Sequence, residues 1–313
     1  MRIGVECQPQ GILAWMPKTL AILGAGRVGR ALGRLLHERG WRILVVAAHS
    51  EATARKAAKF IRAGRPLAGI SHHALAARII LVSVPDDAIP DVAAELARIG
   101  GQQLRGKIVL HTSGACDAAA LEPVRAFGAF AGSMHPMQTF NGVSVPPLEG
   151  KIFAIEGDAP AVRVARSIAR SLGGVPVNIT AEKKPLYHAA GAFAAGLVLA
   201  LEEAGVQMLK TSGLPQREAL HALLSLSRQV LEHYEKLGSH NAWTGPLSRG
   251  DYGVVASNEE AIAHYHPEFL EAYQAVSRLS GHVLAADPAA VLGHLEKLPR
   301  HSPLLSKSKG GSA

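Results

Sequence analysis

Short apolar runs alternate with helical stretches through the first half of the chain. Thr19 to Leu23 and Arg42 to Ala47 read as strands. Arg78 to Val84 (RIILVSV) is almost wholly apolar, as in a strand buried on both faces. Leu67 to Ile70, Lys107 to Thr112, Ala129 to Ser133, Lys151 to Ile155 and Val175 to Ile179 are further strands. Between them the periodicity predicts helices over Val28 to Arg39 (stopped by Gly40), Glu51 to Arg62, Asp86 to Ile99, Ala118 to Phe127 and Pro160 to Leu172. Repeated strand-helix-strand order predicts a parallel, doubly wound sheet.

After Thr180 the strand signal stops. Helices are predicted over Pro185 to Thr211, Pro215 to Lys236, Glu259 to Leu284 and Pro288 to Lys297. Pro185 and Pro215 stand near helix starts, where a missing N–H costs nothing. Gly213 and Gly238 stand just past helix ends. The expected organisation is an arm over 1–17, an α/β domain over 18–181, a helical domain over 182–300 and a tail over 301–313. The arm lacks the layout of a signal peptide and reads as disordered or as an upstream start. The tail, rich in Ser, Lys and Gly, is expected to be disordered.

Composition narrows the function classes. The formal net charge is +8, yet no run of five or more like charges occurs. The excess fits an anionic small ligand or plain surface charge better than a nucleic-acid partner. Only Cys7 and Cys116 are present, with no metal-type spacing and no disulfide framework, which points to a reducing cytoplasm. The longest uncharged run, Ala189 to Leu201, falls short of the ~18 apolar residues that span a bilayer and reads as a buried helix. Expected partners are therefore a small-molecule substrate, with no nucleic acid and no membrane.

Gly24-Ala25-Gly26-Arg27-Val28-Gly29 follows a strand and opens a helix, the context that makes G-x-G-x-x-G specific for a dinucleotide. Gly24 permits the tight turn, Gly26 lets the backbone approach a pyrophosphate, and Gly29 lets helix and strand pack. The diphosphate sits on the free N–H groups of that helix. NAD-specific domains place an acid at the next strand tip, ~20 residues on, to bond the ribose 2′-hydroxyl. Here the tip reads Ala47-Ala48-His49-Ser50, with no carboxylate before Glu51. Ser50 can bond a 2′-phosphate, and Arg55, His49 or Arg27 can supply charge, so NADP is expected over NAD. For Arg55 a solvated helix face is the competing reading. Val84-Pro85-Asp86 and Thr112 end strands at the same sheet edge and are candidate cofactor contacts, with Asp86 alternatively only a helix cap.

Two strand ends carry polar clusters, His111-Thr112-Ser113-Gly114 and Gly132-Ser133-Met134-His135-Pro136-Met137. His135 is the candidate general acid or base, with Ser113 placed to orient it or the substrate. Lys184 and His188, four apart at a helix start, share a face. They either bind and polarise substrate or merely cap the helix. Arg249, in the turn Gly245 to Asp251, either clamps a carboxylate or phosphate or pairs with Asp251 and fixes the loop. His264-Tyr265-His266 has no acid or Cys at a ligating spacing, so no metal is expected.

LGAGRVGRAL (23–32), SVPDDAI (83–89), HTSGA (111–115), GSMHPMQTF (132–140), KPLYHAA (184–190) and GPLSRGD (245–251) together carry a family resemblance. Over residues 18–285 the chain resembles the NADP-dependent oxidoreductases that join a Rossmann-like domain to a helical C-terminal domain of unknown function. That family is similar to pyrroline-5-carboxylate reductase, ketopantoate reductase and 6-phosphogluconate dehydrogenase. The resemblance implies a Rossmann doubly wound parallel sheet, a helical domain like the C-terminal one of 6-phosphogluconate dehydrogenase, substrate held between domains, and a homodimer through the helical domain. Ser113 and His135-Pro136-Met137 also resemble the serine and catalytic histidine of prephenate dehydrogenase. The family usually shows a Ser-Asn pair where this chain has Ala195 and Gly196. The expected function is hydride transfer between NADP(H) and a small, carboxylate-bearing carbonyl, imine or hydroxyl substrate. The rival is an NADP(H)-binding sensor acting through its helical domain.

Overall fold

The computed structural model describes residues 18–299; the arm over 1–17 with Cys7, and the tail over 301–313, lie outside the described residues. The chain divides into two compact units, Met1–Ala195 and Gly196–Ala313.

The first unit is built on one eight-stranded sheet of order β3-β2-β1-β4-β5-β6-β7-β8. Its strands are β1 (Thr19–Leu23), β2 (Arg42–Ala48), β3 (Arg65–Ala68), β4 (Ile79–Val82), β5 (Ile108–His111), β6 (Phe130–Pro136), β7 (Ile152–Gly157) and β8 (Val175–Asn178). Its helices are α1 (Arg27–Glu38), α2 (Glu51–Ile61), α3 (Ile89–Gly100), the short α4 (Glu122–Arg125), α5 (Ala159–Ser171) and α6 (Lys184–Ala192). The central strand β1 is buried throughout because both sheet faces are covered. Side chains alternate across a strand, so Leu20 and Ile22 join one apolar cluster with Leu32, Leu36 and Ile61. Ala21 and Leu23 join the opposite cluster with Ile80, Ile89 and Leu96.

The parallel sheet expected from the sequence holds from β3 to β6 and reverses at its far side. β6 and β7 pair antiparallel, from Gly132 opposite Gly157 to Pro136 opposite Phe153. β7 and β8 then pair parallel to each other. A parallel neighbour needs a crossover, usually a helix, and the segment between Pro136 and Ile152 contains none, so the chain turns back on itself. The helix expected over Ala118 to Phe127 is a 3-10 turn, Ala118–Leu121, followed by α4.

The second unit holds α7 (Val198–Thr211), α8 (Gln216–Leu237), α9 (Ser239–Ala242), α10 (Pro246–Arg249), α11 (Tyr252–Tyr265), α12 (Pro267–Leu284) and α13 (Pro288–Leu295). The single helix expected over Glu259 to Leu284 is two, broken at His266, whose φ of −144° and ψ of 61° are not helical. Pro267 causes the break, because its ring disfavours the α region in the residue before it and it has no N–H to continue the ladder.

A π-turn, Phe193–Leu197, links α6 to α7. The resulting helical run Ala181–Thr211 has a mean hydropathy of 1.5 in its most apolar window, long and apolar enough to cross a membrane by length and composition. The expected burial of Ala189 to Leu201 is overturned, since only 6% of that window is buried and Leu199 remains 70% exposed. The chain covers little of this apolar surface itself.

Gly29 in α1 tests the packing of the glycine turn. A Cβ there would stand 2.5 Å from the carbonyl oxygen of Gly24 and 3.0 Å from Cβ of Ser83. Gly29→Ala is expected to destabilise the fold by about 1–3 kcal/mol, read as a lowered Tm in thermal denaturation.

Candidate functional site

β1 delivers the chain into Gly24, whose φ is +104°. A Cβ there would lie 2.2 Å from the carbonyl oxygen of Ser83, so no other residue fits. Gly26 caps α1 with no side-chain hydrogen bond, and no acid stands in the first turn. The first-turn N–H groups, from Arg27 onward, therefore face outward with the positive end of the helix dipole. A Cβ on Gly26 would meet only the Ser83 oxygen, at 3.8 Å, which leaves open space over the turn. Gly26, Arg27 and Val28 line a cavity of about 360 Å³ with Val84, Pro85, Asp86 and Thr112. A diphosphate fits this cradle: it is concave, glycine-floored and lined by free donors.

The β2 tip is less committed than its sequence suggests. Ser50 caps α2, its Oγ accepting from the Thr53 N–H at 3.3 Å and lying 2.8 Å from Thr53 Oγ1. Arg55 pairs with Glu51 at 2.6 Å, with both side chains more than half exposed. Such a pair is worth little and can exchange partners. His49 is exposed, as is Arg27 on the groove itself. Thr112 Oγ1 donates to Ser83 Oγ at 3.1 Å, tying the tips of β5 and β4 together.

The reaction-centre residues converge where β6 meets α6. Lys184 is fully buried, and its Nζ donates to Ser133 Oγ at 2.7 Å and to the Ser113 carbonyl at 3.1 Å. One turn on, the Tyr187 hydroxyl lies 3.0 Å from His135 Nδ1. His188, exposed on the same helix, stands with its ring centroid 6.3 Å from that of His135. A second cavity, also of about 360 Å³, is lined by His135, Tyr187, His188, Met137 and the small residues Gly191, Ala192, Ala194 and Ala195. His135, Gln138 and His188 line both this cavity and the glycine-turn groove.

Two expected roles change, and a third residue lies apart. Lys184 does not reach either cavity; its side chain is fully buried, while Tyr187 one turn on lines the second cavity. Ser113 does not orient His135, because its Oγ accepts from the N–H groups of Ala115 and Cys116 in a local turn. Arg249 lies in the second unit and pairs with Asp251 at 3.0 Å, with both side chains exposed. His111 is structural: Nε2 meets the Asp117 carbonyl at 2.9 Å, and Nδ1 accepts from the Ser113 N–H. Tyr187 went unrecognised as a site residue. Its signal was the spacing of three from Lys184, which puts both on one helix face.

Burial dominates the electrostatics. It pushes His135 down to about 4, assisted by the positive charge of Lys184. His111 falls to about 4 for the same reasons, in the same order. Burial lowers the Lys184 ammonium and raises the Tyr187 phenol to about 12. At neutral pH both histidines are uncharged and the phenol keeps its proton.

The fold is of Rossmann type with a helical second unit. More particularly, residues 13–136 match a Rossmann-like domain and residues 151–280 match a domain of unknown function, DUF2520. The second match begins at β7, so it takes in two strands of the sheet as well as helices. The chain is similar to a Bacteroides fragilis protein assigned as an NADP oxidoreductase, at 24% identity and TM-score 0.66, covering 83% of this chain and 96% of that one. An imine reductase variant from Myxococcus stipitatus in complex with NAD+ is similar at 20% identity and TM-score 0.60, covering 90% and 100%. Pyrroline carboxylate reductase of Plasmodium falciparum with NADP bound is similar at 15% identity and TM-score 0.55, covering 83% and 96%. At these identities the likeness is one of fold. Comparison with curated proteins gives no match.

The two neutral histidines make stability depend on pH. Their folded pKa of about 4 lies below the unfolded 6.5, so the unfolded chain binds more protons in between. Stability is expected to fall as pH drops from 6.5 towards 4, by about 2 kcal/mol per histidine at pH 5. His111→Asn should shrink the difference between denaturant titrations at pH 7 and pH 5 by about that amount.

Proposed function

We propose that the chain is an NADP(H)-dependent oxidoreductase moving hydride between the cofactor and a small carbonyl, imine or hydroxyl substrate. The observation that carries this reading is the wall shared by the two cavities. His135 lines both the glycine-turn groove and a second cavity of about 360 Å³ walled largely by small and apolar residues. The solved structures of similar fold are described as NADP and NAD proteins, which supports the cofactor class.

In this reading the backbone at Gly24, Ala25, Gly26 and Val28 binds the diphosphate, and Gly29 holds α1 against the turn. Arg27, His49, Ser50 and, after leaving Glu51, Arg55 take the 2′-phosphate. Val84, Pro85, Asp86 and Thr112 flank the ribose and nicotinamide. When bound, the nicotinamide supplies or accepts the hydride. His135 holds the proton at the substrate oxygen or nitrogen, with His188 beside it. Lys184 is buried beneath the site and Arg249 is paired elsewhere, so a substrate carboxylate finds less support than the sequence implied. The apolar residues left exposed, Leu186, Phe193, Leu199, Leu226 and Leu231 among them, favour a homodimer through the helical region.

Calorimetric titration is expected to show NADPH bound more tightly than NADH. Ser50→Glu, which puts a carboxylate at the β2 tip, should weaken NADPH by about tenfold or more. No uptake of either cofactor at millimolar concentration overturns the proposal. NADPH oxidation with a panel of ketones, aldehydes, keto acids and imines should yield at least one turned-over substrate. His135→Ala should then lose about a hundredfold in turnover. Sedimentation velocity should show a dimer.

A further inference from the structure

We propose that Tyr187 fixes the tautomer of His135, so that a neutral imidazole presents Nε2–H to the substrate and the atom it meets is a carbonyl oxygen. This rests on the oxidoreductase reading and names its substrate class.

The contact between Nδ1 of His135 and the Tyr187 hydroxyl, at 3.0 Å, can run in either direction. If Nδ1 donated, the phenol proton would need another acceptor. Near it is the His135 carbonyl at 3.5 Å, longer than a full-strength O–H···O bond. If the phenol donates to Nδ1, its proton is used at the short contact and nothing is left over. The second arrangement puts the ring proton on Nε2.

Nε2 makes no hydrogen bond among the described residues, and its edge is open for an identifiable reason. A Cβ on Gly114 would lie 2.9 Å from Nε2 and 2.9 Å from Cδ2 of His188. Glycine at that position keeps the imidazole edge reachable. The charged and titratable groups facing His135 are Lys184 and His188 on α6 and Asp86 after β4. The positive charge of Lys184, bonded to Ser133, outweighs the opposing Asp86 carboxylate and disfavours an imidazolium.

A neutral N–H donor selects an atom with a lone pair. A ketone or aldehyde oxygen offers one, and its acceptor strength grows as hydride addition turns it into an alkoxide. A protonated imine offers N–H to N–H and is disfavoured. The proton balance closes through the dyad. Nε2–H passes its proton to the alkoxide while Nδ1 takes the phenol proton; Nε2 is then reprotonated from water as Nδ1–H returns its proton to the phenolate, which restores the starting tautomer. Tyr187 is thus a positioning residue and proton donor to His135, and its hydroxyl is engaged at Nδ1 although the residue also lines the second cavity.

Nitrogen-15 NMR of the imidazoles in the intact chain at neutral pH tests this without cofactor or substrate, with His135→Gln supplying the assignment. His135 is expected to show an unprotonated Nδ1 and a protonated Nε2. Tyr187→Phe should mix the tautomers while circular dichroism stays unchanged. A protonated Nδ1 or an imidazolium in the wild type, or an unaltered His135 signal in a folded Tyr187→Phe, overturns the proposal. If that variant does not fold, the wild-type spectrum alone decides. In turnover, Tyr187→Phe should lower kcat by about tenfold with little change in KM. Carbonyl substrates should be reduced faster than imines, and the reverse order sinks the substrate class. Loss of NADPH binding, read separately by calorimetry, would count against the underlying oxidoreductase reading alone.

Discussion

A buried ammonium holds the site together. Lys184 has no exposed surface, and its charge finds a hydroxyl and a carbonyl rather than a carboxylate. Burying a charge is expensive unless it is well hydrogen-bonded, so the two contacts to Ser133 and Ser113 are what makes the position tolerable. They also fix geometry. One bond reaches β6 and the other the segment after β5, so the start of α6 is pinned across two strand tips. Tyr187 and His188 then fall over the sheet edge as a consequence of helical spacing. The same charge presses His135 towards its neutral form.

The sheet edge divides its polar groups into those already satisfied and those left free. Ser83, Thr112, Ser113 and His111 are engaged with one another or with backbone, and they hold the strand tips in place. The free groups are the first-turn amides of α1, the exposed edge of His135 and His188. Two glycines keep them accessible by lacking a side chain, Gly26 over the turn and Gly114 against the imidazole. A rigid set of spent donors carrying a small set of unspent ones is the arrangement a preorganised site requires.

The sheet and glycine turn were legible because they rest on local rules. The apolar strands, the G-x-G-x-x-G context and the missing acid at the β2 tip are readable within short windows. The reversal at β7 is not legible in the strand pattern, because strand direction depends on what joins the strands and the segment after Pro136 holds no helix. His135 was reachable from its place at a strand end. The roles of Lys184 and Ser113 were not, since a Lys at a helix start looks the same whether it faces a cavity or a core. Only burial separates those cases. Tyr187 was hidden by its type: a tyrosine beside an apolar helix reads as packing until its hydroxyl is seen to meet an imidazole. The apolar stretch around Ala189 to Leu201 misled in the opposite sense, because a sequence shows that a face is apolar but not what covers it.

Charge and chemistry are separated in this molecule. The chain carries a net +8, yet little of that charge is free at the site. Lys184 is fully buried, Arg55 is shared with Glu51 in an exposed pair, and Arg249 lies in the second unit beside Asp251. Arg27 is the cation that both lines the groove and is exposed. In the proposed function, attraction for a diphosphate therefore rests chiefly on backbone amides and the helix dipole, which are fixed in direction and do not titrate. The overall positive charge can raise the local concentration of an anionic ligand, but it cannot orient one. Orientation falls to the glycine turn at one end of the groove and to a neutral imidazole at the other. Such a pairing suits a ligand that is anionic where it is anchored and uncharged where it reacts.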